Sequence, residues 1–287
     1  MLPRLLKVIP SQDGSVQIRH EQARYFANPW HFHPELELTL VLKSTGTRFV
    51  GDSIGYFTAD DLVLLGSNLP HYWKNDNQYY RSEDKNAEAI IIRFAEDFMG
   101  KEKFTLPEMQ ELQGLFLKAK RGLLIKGNTQ RRVKKLMTQM LSQNGLLRLI
   151  TFLQILNLIS ISDDIAYLTS KGFNCHLNPR HENRMNTVYN FLTSHYREKI
   201  NLEDIANQAA MNPSAFSRYF KQCTGKSVTE FLQELRLGHA CKMLIQTNKN
   251  ISEIIYDSGF QSQTHFNKLF VKVNNLTPAA YRARYRK

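Results

Sequence analysis

Short apolar runs alternate with turn residues along the first third of the chain. The runs cover Leu36–Leu42, Thr47–Val50, Asp61–Leu65 and Ala89–Phe94, and Thr47–Val50 is rich in residues that favour strands. Clusters of glycine, asparagine and serine, such as Gly66–Asn68, separate them. Short strands divided by turn residues at this spacing are typical of a β-sandwich or a β-barrel. The pattern therefore predicts a β-domain over residues 1–104.

Apolar residues recur at helical spacing over residues 105–180. One helical face is formed by Leu112, Leu115, Phe116 and Ala119, and further helices are predicted around Val133–Leu141 and over Leu146–Ile161. The last run is interrupted by Arg148, Gln154 and Asn157, so it is too short and too polar to span a bilayer. Such helices can fill a core or form the seam of a dimer, and we predict a homodimer. Ser170–Arg180 is predicted to be a linker.

Residues 181–287 contain two copies of one helical pattern. In the first copy, a short amphipathic helix over Leu202–Ala210 precedes a break at Met211–Pro213 and a second helix over Pro213–Thr224. Asn212 is suited to cap the second helix at its N-terminus. Gly225 is suited to end that helix in a left-handed conformation.

The pattern returns about fifty residues later. A short helix over Ile251–Ser258 precedes a turn at Gly259–Ser262 and a helix from Gln263 to about Asn274–Asn275. Three pairs of residues are offset by 50 positions, namely Phe216 and Phe266, Phe220 and Phe270, and Gly225 and Asn275. A short helix that supports a second one across a tight turn is the architecture of a helix-turn-helix. Ser227 is predicted to cap a connecting helix that runs to about Gln246.

Positive charge is concentrated behind the predicted β-domain. The net charge of the chain is +12. Residues 1–104 contain 12 Lys/Arg and 14 Asp/Glu, a net charge of −2, and residues 181–287 contain 15 and 8, a net charge of +7. Residues 105–180 also carry +7, from 11 Lys/Arg and 4 Asp/Glu. A basic rear half favours double-stranded DNA as partner, with a basic surface kept for solubility as the alternative.

Cysteine usage and the N-terminus predict a cytoplasmic protein without membrane contact. The three cysteines, Cys175, Cys223 and Cys241, have no CxxC spacing and indicate reduced thiols rather than disulfides or a zinc knuckle. Polar and proline residues interrupt the N-terminal apolar stretch at Pro3, Arg4 and Lys7. That stretch therefore lacks the apolar core of a signal peptide.

The tandem pattern resembles the AraC/XylS family of transcription activators. The strongest match begins at Ile254 and reads IIYDSGFQSQTHFNKLFVKVNNLTPAAYRARYR; a second match begins at Leu202 and reads LEDIANQAAMNPSAFSRYFKQCTGKSVTEFLQELR. The likeness covers about residues 183–285. It implies a two-lobed DNA-binding domain of seven helices in a transcription regulator, with RNA polymerase as a further candidate partner.

The resemblance assigns eight residues to DNA binding. They are Ser214, Ser217, Arg218 and Lys221 in the first unit and Gln263, Thr264, Asn267 and Lys268 in the second. Arg218 suits guanine, because its two-pronged guanidinium can reach O6 and N7 together, and Asn or Gln suits adenine. Phosphate contacts are expected from Lys221, Lys226, Lys272 and the C-terminal basic tail, which consists of Arg282, Arg284, Arg286 and Lys287. The alternative for each charged residue is an exposed charge without a partner.

Several polar residues of the front domain are candidates for the lining of a sensor pocket. His31, His33 and Glu37 have the same parity on an extended strand, and His71 follows a later turn. The set resembles the HxH…E motif and the later histidine of the cupin barrel, and residues 25–95 resemble the cupin sensor domain of AraC-type regulators. The glycine expected soon after the motif is displaced to Gly46. The resemblance implies effector binding by His31, His33, Glu37, Arg48, His71 and Trp73.

The pocket residues are compatible with two ligand classes. Three histidines and a glutamate can hold Zn, Mn, Fe or Ni, which would make a metal-dependent cupin enzyme the rival function. AraC-type regulators more often use this pocket for an organic effector, so we expect a sugar or related metabolite and no metal or cofactor. The sequence contains no phosphate loop, GxSxG elbow or catalytic Cys–His pattern, so we predict no enzyme. A DNA-binding regulator without an effector is a further alternative.

The predicted fold class is α+β with three parts. Residues 1–104 form a cupin-like β-barrel, residues 105–180 a helical dimerisation segment and linker, and residues 181–287 an all-α domain with two helix-turn-helix units. The predicted function is sequence-specific DNA binding by an effector-responsive transcription regulator, in which effector binding shifts the affinity for a promoter.

Overall fold

The computed structural model describes residues 15–81, 84–173 and 179–286. Contacts divide the chain into a front unit (Met1–Ser53 and Phe57–Cys175) and a rear unit (Ile54–Tyr56 and His176–Lys287). The N-terminal stretch with Pro3, Arg4 and Lys7, the residue Cys175 and the middle of the expected linker lie outside the described residues. Sheet is found towards the N-terminus, and the C-terminal region is helical, as the sequence predicts.

Nine strands lie among the described residues. They are β1 (Val16–Ala23), β2 (Leu36–Lys43), β3 (Gly46–Val50), β4 (Ser53–Phe57), β5 (Leu62–Leu65), β6 (His71–Asn75), β7 (Ala87–Phe94), β8 (Leu123–Ile125) and β9 (Ile165–Tyr167). One sheet has the order β1-β7-β2-β5-β8-β9, and the other has the order β4-β3-β6. Within the described residues both sheets are open at their edges. The closed barrel expected from the sequence is therefore not formed by strand pairing, because the sheets meet through side chains instead.

Four helices accompany these strands. They are α1 (Asn77–Arg81), α2 (Gln110–Ala119), α3 (Gly127–Met140) and α4 (Gly145–Ser160). The sequence predicts only helices between residues 105 and 172, and the structure adds β8 and β9 there. A strand of three residues is too short for its alternation to be recognised in a sequence. None of the described helices is both long enough and apolar enough to cross a bilayer.

Strand β2 is buried on both faces and joins two cores. Leu36, Leu38 and Leu40 pack in a core that also contains residues of α2, α3 and α4, such as Phe116 and Phe152. On the opposite face, Val41 packs in a second core with Val50 and Phe57 of the smaller sheet. The larger sheet therefore lies between a helical layer and the smaller sheet. The helices after residue 105 are part of this layered core.

Seven helices form the rear unit, as the family resemblance implies. They are α5 (Pro179–His195), α6 (Leu202–Gln208), α7 (Pro213–Thr224), α8 (Val228–Gln246), α9 (Ile251–Asp257), α10 (Gln263–Asn274) and α11 (Pro278–Tyr285). Helix α8 contributes to two apolar groups. Its Phe231 contacts the rings of Tyr189 and Phe220, whereas Leu237 and Leu244 pack with Phe266 and its neighbours. These two groups are the cores of the two predicted lobes.

Both second helices have a side-chain cap at their N-terminus, and the cap at Asn212 is the one that the sequence predicts. The side chain of Asn212 accepts a hydrogen bond from the backbone N–H of Ala215 at 2.8 Å, and that of Ser262 accepts one from His265 at 3.3 Å. Gly225 and Asn275 end α7 and α10 in the left-handed conformation. The 50-residue repeat in the sequence is thus a repeat of backbone conformation.

Each of the two helix-turn-helix turns has one residue in the left-handed conformation at the equivalent position. Ala210 has φ of 50° and Gly259 has φ of 87°. In each case the next residue donates its N–H to a carbonyl of the preceding helix, Met211 to Ala206 and Phe260 to Ile255. A Cβ atom added at Gly259 would lie 2.8 Å from the Cα atom of Arg197 and from the carbonyl oxygen of Tyr196. The second turn therefore requires glycine both for its conformation and for this close approach.

We expect Gly259→Ala to lower the free energy of unfolding of the rear unit by roughly 2 kcal/mol or more, because a left-handed alanine costs roughly 1–2 kcal/mol before any steric overlap is counted. Urea unfolding followed by far-UV circular dichroism measures this loss. Fluorescence of Trp30 and Trp73, both in the front unit, provides an internal reference.

The matched control is Ala210→Gly, at the equivalent position of the first turn. Relief of left-handed strain offsets the larger chain entropy of glycine, so we expect between no change and a gain of about 1 kcal/mol. A larger loss for Ala210→Gly than for Gly259→Ala would contradict this account of the turns.

Candidate functional site

The outer faces of α7 and α10 present the predicted DNA-binding side chains to solvent. Seven of the eight are exposed, namely Ser214, Arg218, Lys221, Gln263, Thr264, Asn267 and Lys268. The opposite faces bury Phe216 and Phe220 in α7 and Phe266 and Phe270 in α10. The four aromatic residues therefore hold the helices in their cores, and the polar residues remain free for a partner.

Ser217 differs from the other seven residues. It is half-buried, and its hydroxyl donates to the carbonyl oxygen of Pro213 at 3.0 Å. Arg218, one residue further, has no hydrogen bond or ion pair with any part of the chain that the structure describes. A hydroxyl already bonded to its own helix is a weaker candidate for reading a base than an unpaired guanidinium. Of these two residues, Arg218 is therefore the stronger candidate for a base contact.

Two expected phosphate contacts are engaged within the rear unit. The ammonium of Lys226 lies 2.5 Å from a carboxylate oxygen of Glu234. The guanidinium of Arg282 donates to the carbonyl oxygens of Leu244 at 3.3 Å and Lys249 at 2.6 Å. Arg282 thus ties α11 to the end of α8, a role that the charge pattern of the tail does not reveal. Lys272 is exposed on α10.

Residues overlooked in the sequence connect the two lobes. The guanidinium of Arg236, on α8, donates to the carbonyl oxygens of Tyr196 at 2.6 Å and Glu198 at 2.9 Å. His239, one turn further, lies 3.1 Å from the hydroxyl of Ser258, next to the glycine turn. These contacts fix α8 to the loop that precedes the first helix-turn-helix unit and to the turn of the second. A mid-helix arginine and histidine carry no sequence signal for this role.

Three histidines meet in the front unit. His31 and His71 form a two-residue antiparallel bridge, in which each backbone N–H donates to the other's carbonyl oxygen at 3.1 and 2.9 Å. Their ring centroids lie 4.2 Å apart, and the ring of His33 lies 5.1 Å from that of His71. One nitrogen of each ring lies within 4.8 Å of the others, and all three residues are buried. The cluster expected from the HxH spacing and the later histidine is therefore formed.

Each histidine ring is oriented by a backbone carbonyl. The Nδ1 atom lies 2.7 Å from the oxygen of Pro29 for His31, and 2.8 Å from that of Leu69 for His71. For His33 it lies 3.1 Å from the oxygen of Glu35. A carbonyl can only accept, so the Nδ1 atoms of His31 and His71 carry the hydrogen, whereas His33 has an acceptor at each of its ring nitrogens. The Nε2 atoms of His31 and His71 are buried and have no hydrogen-bond partner among the described residues.

Glu37 is held beside this cluster by three groups. Its Oε2 atom accepts from Nε of Arg93 at 2.6 Å and lies 3.2 Å from Nε2 of His33. Its Oε1 atom accepts from the hydroxyl of Thr39 at 2.7 Å. Arg93 faces Glu37 directly across the β2–β7 pairing. Sequence reasoning missed Arg93 and Thr39, although the alternation of Ala89–Phe94 places Arg93 on the same face as Ala89 and Ile91.

Burial and charge set the protonation of the cluster. Burial lowers the pKa of His31 to about 4 and that of His71 well below its usual value. Burial opposes ionisation of Glu37, but the hydrogen bond from His33 and the charges of neighbouring groups, Arg93 among them, outweigh it and hold the pKa of Glu37 well below its usual range. At neutral pH, His31 and His71 are therefore neutral bases beside an ionised carboxylate.

The space around the cluster is small. The cavity has a volume of about 30 Å³, and its lining includes His31, Glu37, His71, Trp73 and Arg93. That volume is the share of about one water molecule, whereas pockets for organic ligands are roughly 300–1,000 Å³. The cavity as described therefore has room for water or an ion and is too small for an organic ligand.

Trp73 and Arg48, both predicted to bind the effector, differ in their position relative to the cavity. Trp73 lines the cavity, and its indole Nε1 lies buried without a hydrogen-bond partner among the described residues. Arg48 is absent from the lining, although β3 pairs it with Trp73, and its guanidinium instead forms a buried ion pair with Asp61. The structure thus brings together five of the six predicted residues and gives Arg48 a different partner.

Loss of Arg93 should leave Glu37 charged and poorly compensated inside the front unit. We expect Arg93→Met to lower the free energy of unfolding by about 3–5 kcal/mol, the usual cost of removing one partner of a buried ion pair. Adding Glu37→Gln should recover part of this loss, because the remaining buried group is then neutral. Urea unfolding followed by tryptophan fluorescence measures both variants.

Arg19→Met, on the exposed side of β1, serves as the matched control and should change the unfolding free energy by less than about 0.5 kcal/mol. If the double variant were no more stable than Arg93→Met, the unpaired carboxylate would not be the cause of the loss.

Comparison with known proteins identifies a helix-turn-helix domain in the rear unit. Residues 205–284 match the family model described as a helix-turn-helix domain. This span begins in α6 and ends in α11, so it includes both units of the repeat. The match confirms the helix-turn-helix prediction.

Similar proteins extend over most of the chain. It is 24% identical over 264 residues to the uncharacterized HTH-type transcriptional regulator YdeC of Bacillus subtilis strain 168, covering 88% of this chain and 86% of the relative. It is 26% identical over 281 residues to the HTH-type transcriptional activator RhaS of Escherichia coli O157:H7, covering 94% and 92%. A solved AraC-type DNA-binding regulator from Chromobacterium violaceum is 29% identical, covering 38% of this chain and 96% of that chain, with a TM-score of 0.35. The domain match and the full-length similarity together make this chain similar to helix-turn-helix transcription regulators, with residues 205–284 as the helix-turn-helix domain.

Proposed function

We propose that the protein is a sequence-specific DNA-binding transcription regulator whose front unit senses a small ligand. The observation that carries the proposal is the pair of capped helices, α7 and α10, whose outer faces are polar and exposed while their inner faces are aromatic. A helix of this kind enters the major groove and reads base edges with its exposed residues. The DNA-binding residues are those that the sequence assigns, with Arg218, Gln263 and Asn267 as the base readers.

Charge supports DNA as the partner. The rear residues 181–287 carry a net charge of +7, and Lys221, Lys268 and Lys272 are exposed on the two reading helices. Lysine contacts to phosphate position a protein on the duplex and make its affinity depend on salt. Base contacts by Arg218 and by the amide side chains of α10 then supply the sequence preference. RNA polymerase is a further partner of an activator of this kind.

Ligand sensing is assigned to the front unit. The buried histidine cluster offers a site for a small ligand, and an open groove of about 1050 Å³, lined among others by Glu35, Asn68, Phe104, Phe116 and Lys120, has the volume that an organic effector occupies. A sugar or related metabolite would fit this groove. It would not fit the cavity at His31, which is too small. Ligand binding would then shift the affinity for promoter DNA by favouring one state of the protein.

A second copy of the chain is the proposed partner of α4. Leu146, Leu147 and Ile150 are 71%, 57% and 43% exposed in the first turns of this helix, whereas Phe152 and Ile155 face the core. Adjacent exposed apolar residues of this kind mark interaction surfaces. We therefore assign this end of α4 to a homodimer contact, consistent with the dimer expected from the sequence.

Selection of binding sites from random duplexes by the full chain should enrich a defined sequence. Fluorescence anisotropy on the selected duplex and a shuffled duplex, at several salt concentrations, then compares variants. Arg218→Ala should weaken binding to the selected duplex by about 5- to 100-fold, since one bidentate base contact is worth about 1–3 kcal/mol. Lys221→Ala should weaken binding to both duplexes and reduce the salt slope by about one.

The matched control for these variants is Arg19→Ala, which removes the same charge from the exposed surface of the front unit. It should leave both affinities unchanged. Equal affinity of the unmodified protein for selected and shuffled DNA, with steep salt dependence, would mean that charge alone acts and would contradict sequence-specific regulation.

Leu147→Glu should dissociate the proposed dimer, because a carboxylate in the middle of an apolar contact cannot be solvated. Sedimentation velocity should show a shift from dimer to monomer. Leu117→Glu, at a residue of α2 that is 67% exposed, is the control and should leave the dimer intact. A monomeric unmodified protein, or equal behaviour of the two variants, would exclude α4 as the seam.

A further inference from the structure

An apolar side chain lies among the polar residues on the outer face of α10. Val271 is 43% exposed. Spacing of i, i+3, i+4 and i+7 relates Thr264, Asn267, Lys268 and Val271. At about 100° per residue, Val271 lies roughly 40° from Asn267 and roughly 20° from Thr264 around the helix axis. Base contacts of the major-groove helix in homeodomains recur at this spacing. Val271 therefore belongs to the same surface as the predicted base readers.

Position rather than exposure sets Val271 apart. Single exposed apolar residues are common on protein surfaces and need no special explanation. Val273 is an example, because it is 53% exposed but lies about 120° from Asn267, on the side of the buried Phe266. An isopropyl group in the middle of a DNA-reading face is different. It would take water away from a polar group of the DNA without returning a hydrogen bond. The partner that suits Val271 is therefore an apolar group.

The internal repeat shows that the fold does not require valine at this position. With the offset of 50 residues, Val271 corresponds to Lys221 of α7. Both residues are exposed, and the carbonyl oxygen of each accepts the N–H of the left-handed residue that ends its helix, Asn275 or Gly225. Because the backbone roles match, the two side chains differ only in the surface that they present to a partner. The second unit offers an isopropyl group where the first offers an ammonium.

Thymine supplies the apolar group that matches valine. Its 5-methyl group lies in the major groove, where the other features that distinguish the base pairs are hydrogen-bond donors and acceptors. Asn267, one helical turn before Val271, suits adenine. Four residues of α10 span about 6 Å, and stacked base pairs are about 3.4 Å apart. The two side chains therefore reach bases that are one or two steps apart.

We propose that Val271 is a specificity-determining residue of the second unit and contacts the 5-methyl group of a thymine within two base pairs of the base that Asn267 reads. The inference rests on the proposed DNA-binding function and names a base that α10 recognises. The first unit combines Arg218, which suits guanine, with Lys221, which suits phosphate. The two half-sites therefore differ, and the half-site of α10 is the one that depends on thymine.

Deoxyuridine scanning of the selected duplex tests the proposal. Each thymine is replaced in turn by deoxyuridine, which pairs with adenine in the same way but lacks the methyl group. Fluorescence anisotropy with the full chain measures each affinity. The half-site of α10 is the one whose base preference Arg218→Ala leaves unchanged. We expect one replacement in that half-site to weaken binding by the unmodified protein about 3- to 10-fold, the effect of losing about one buried methyl contact.

Variants assign the methyl contact to one side chain. Val271→Ala should weaken binding to the selected duplex about 3- to 10-fold and should bind the deoxyuridine duplex as tightly as the thymine duplex. Val273→Ala is the matched control on the other side of α10, and Thr264→Ser removes a second methyl group from the reading face. Both should retain the full sensitivity to deoxyuridine. All three positions are exposed, so each variant should show the circular dichroism melting curve of a folded protein.

Two results would overturn the assignment. In the first, no single deoxyuridine weakens binding, so no thymine methyl group is read. In the second, Val271→Ala keeps the sensitivity of the unmodified protein, so another side chain contacts the methyl group. Both results leave the preference for the selected duplex over the shuffled one intact, and the proposed function then stands without this inference. Equal affinity for those two duplexes would instead contradict the proposed function and the inference together.

Discussion

The front unit depends on the burial of β2 on both of its faces. Alternate residues of a strand point to opposite sides, so Leu36, Leu38 and Leu40 pack against the helical layer while Glu37, Thr39 and Val41 point towards the smaller sheet. The same alternation that builds the core therefore carries the carboxylate into the interior. A charge in that position is tolerated because Arg93 of β7 lies directly opposite it. Packing and site chemistry are thus set by one strand and its register.

The rear unit follows a different principle, in which local backbone signals are repeated. Each helix-turn-helix has a side-chain cap, a left-handed turn residue and two aromatic residues one helical turn apart. Helix α8 then supplies apolar residues to both lobes, and Arg236 and His239 attach it to the loops beside them. The reading faces are left exposed because every large apolar residue of α7, and two phenylalanines of α10, are used on the inner side.

The two candidate sites suit partners of different size and chemistry. The reading helices offer exposed, unpaired polar groups, which suit a large surface such as a DNA groove. The histidine cluster offers buried lone pairs around a cavity of about 30 Å³, which suits an ion or a water molecule. An organic effector would require the larger groove of the same unit. The two candidate sites thus lie in separate units of one chain.

The sequence by itself determined the rear unit almost completely. The bounds of α7, the start of α10 and the caps follow from signals within a few residues of each other, and the seven-helix count follows from the family resemblance. It also identified the histidine cluster, because the HxH spacing and a later histidine are visible without a structure.

The tertiary structure decided what lies far apart in the chain: the two short strands β8 and β9, the open sheets in place of a barrel, the ion pair of Arg48 with Asp61, and the partners of Glu37. Arg93 is 56 residues from Glu37, and only strand register brings them together. The small cavity likewise results from packing, since no pattern of residue types specifies how much space remains between side chains once two sheets have met.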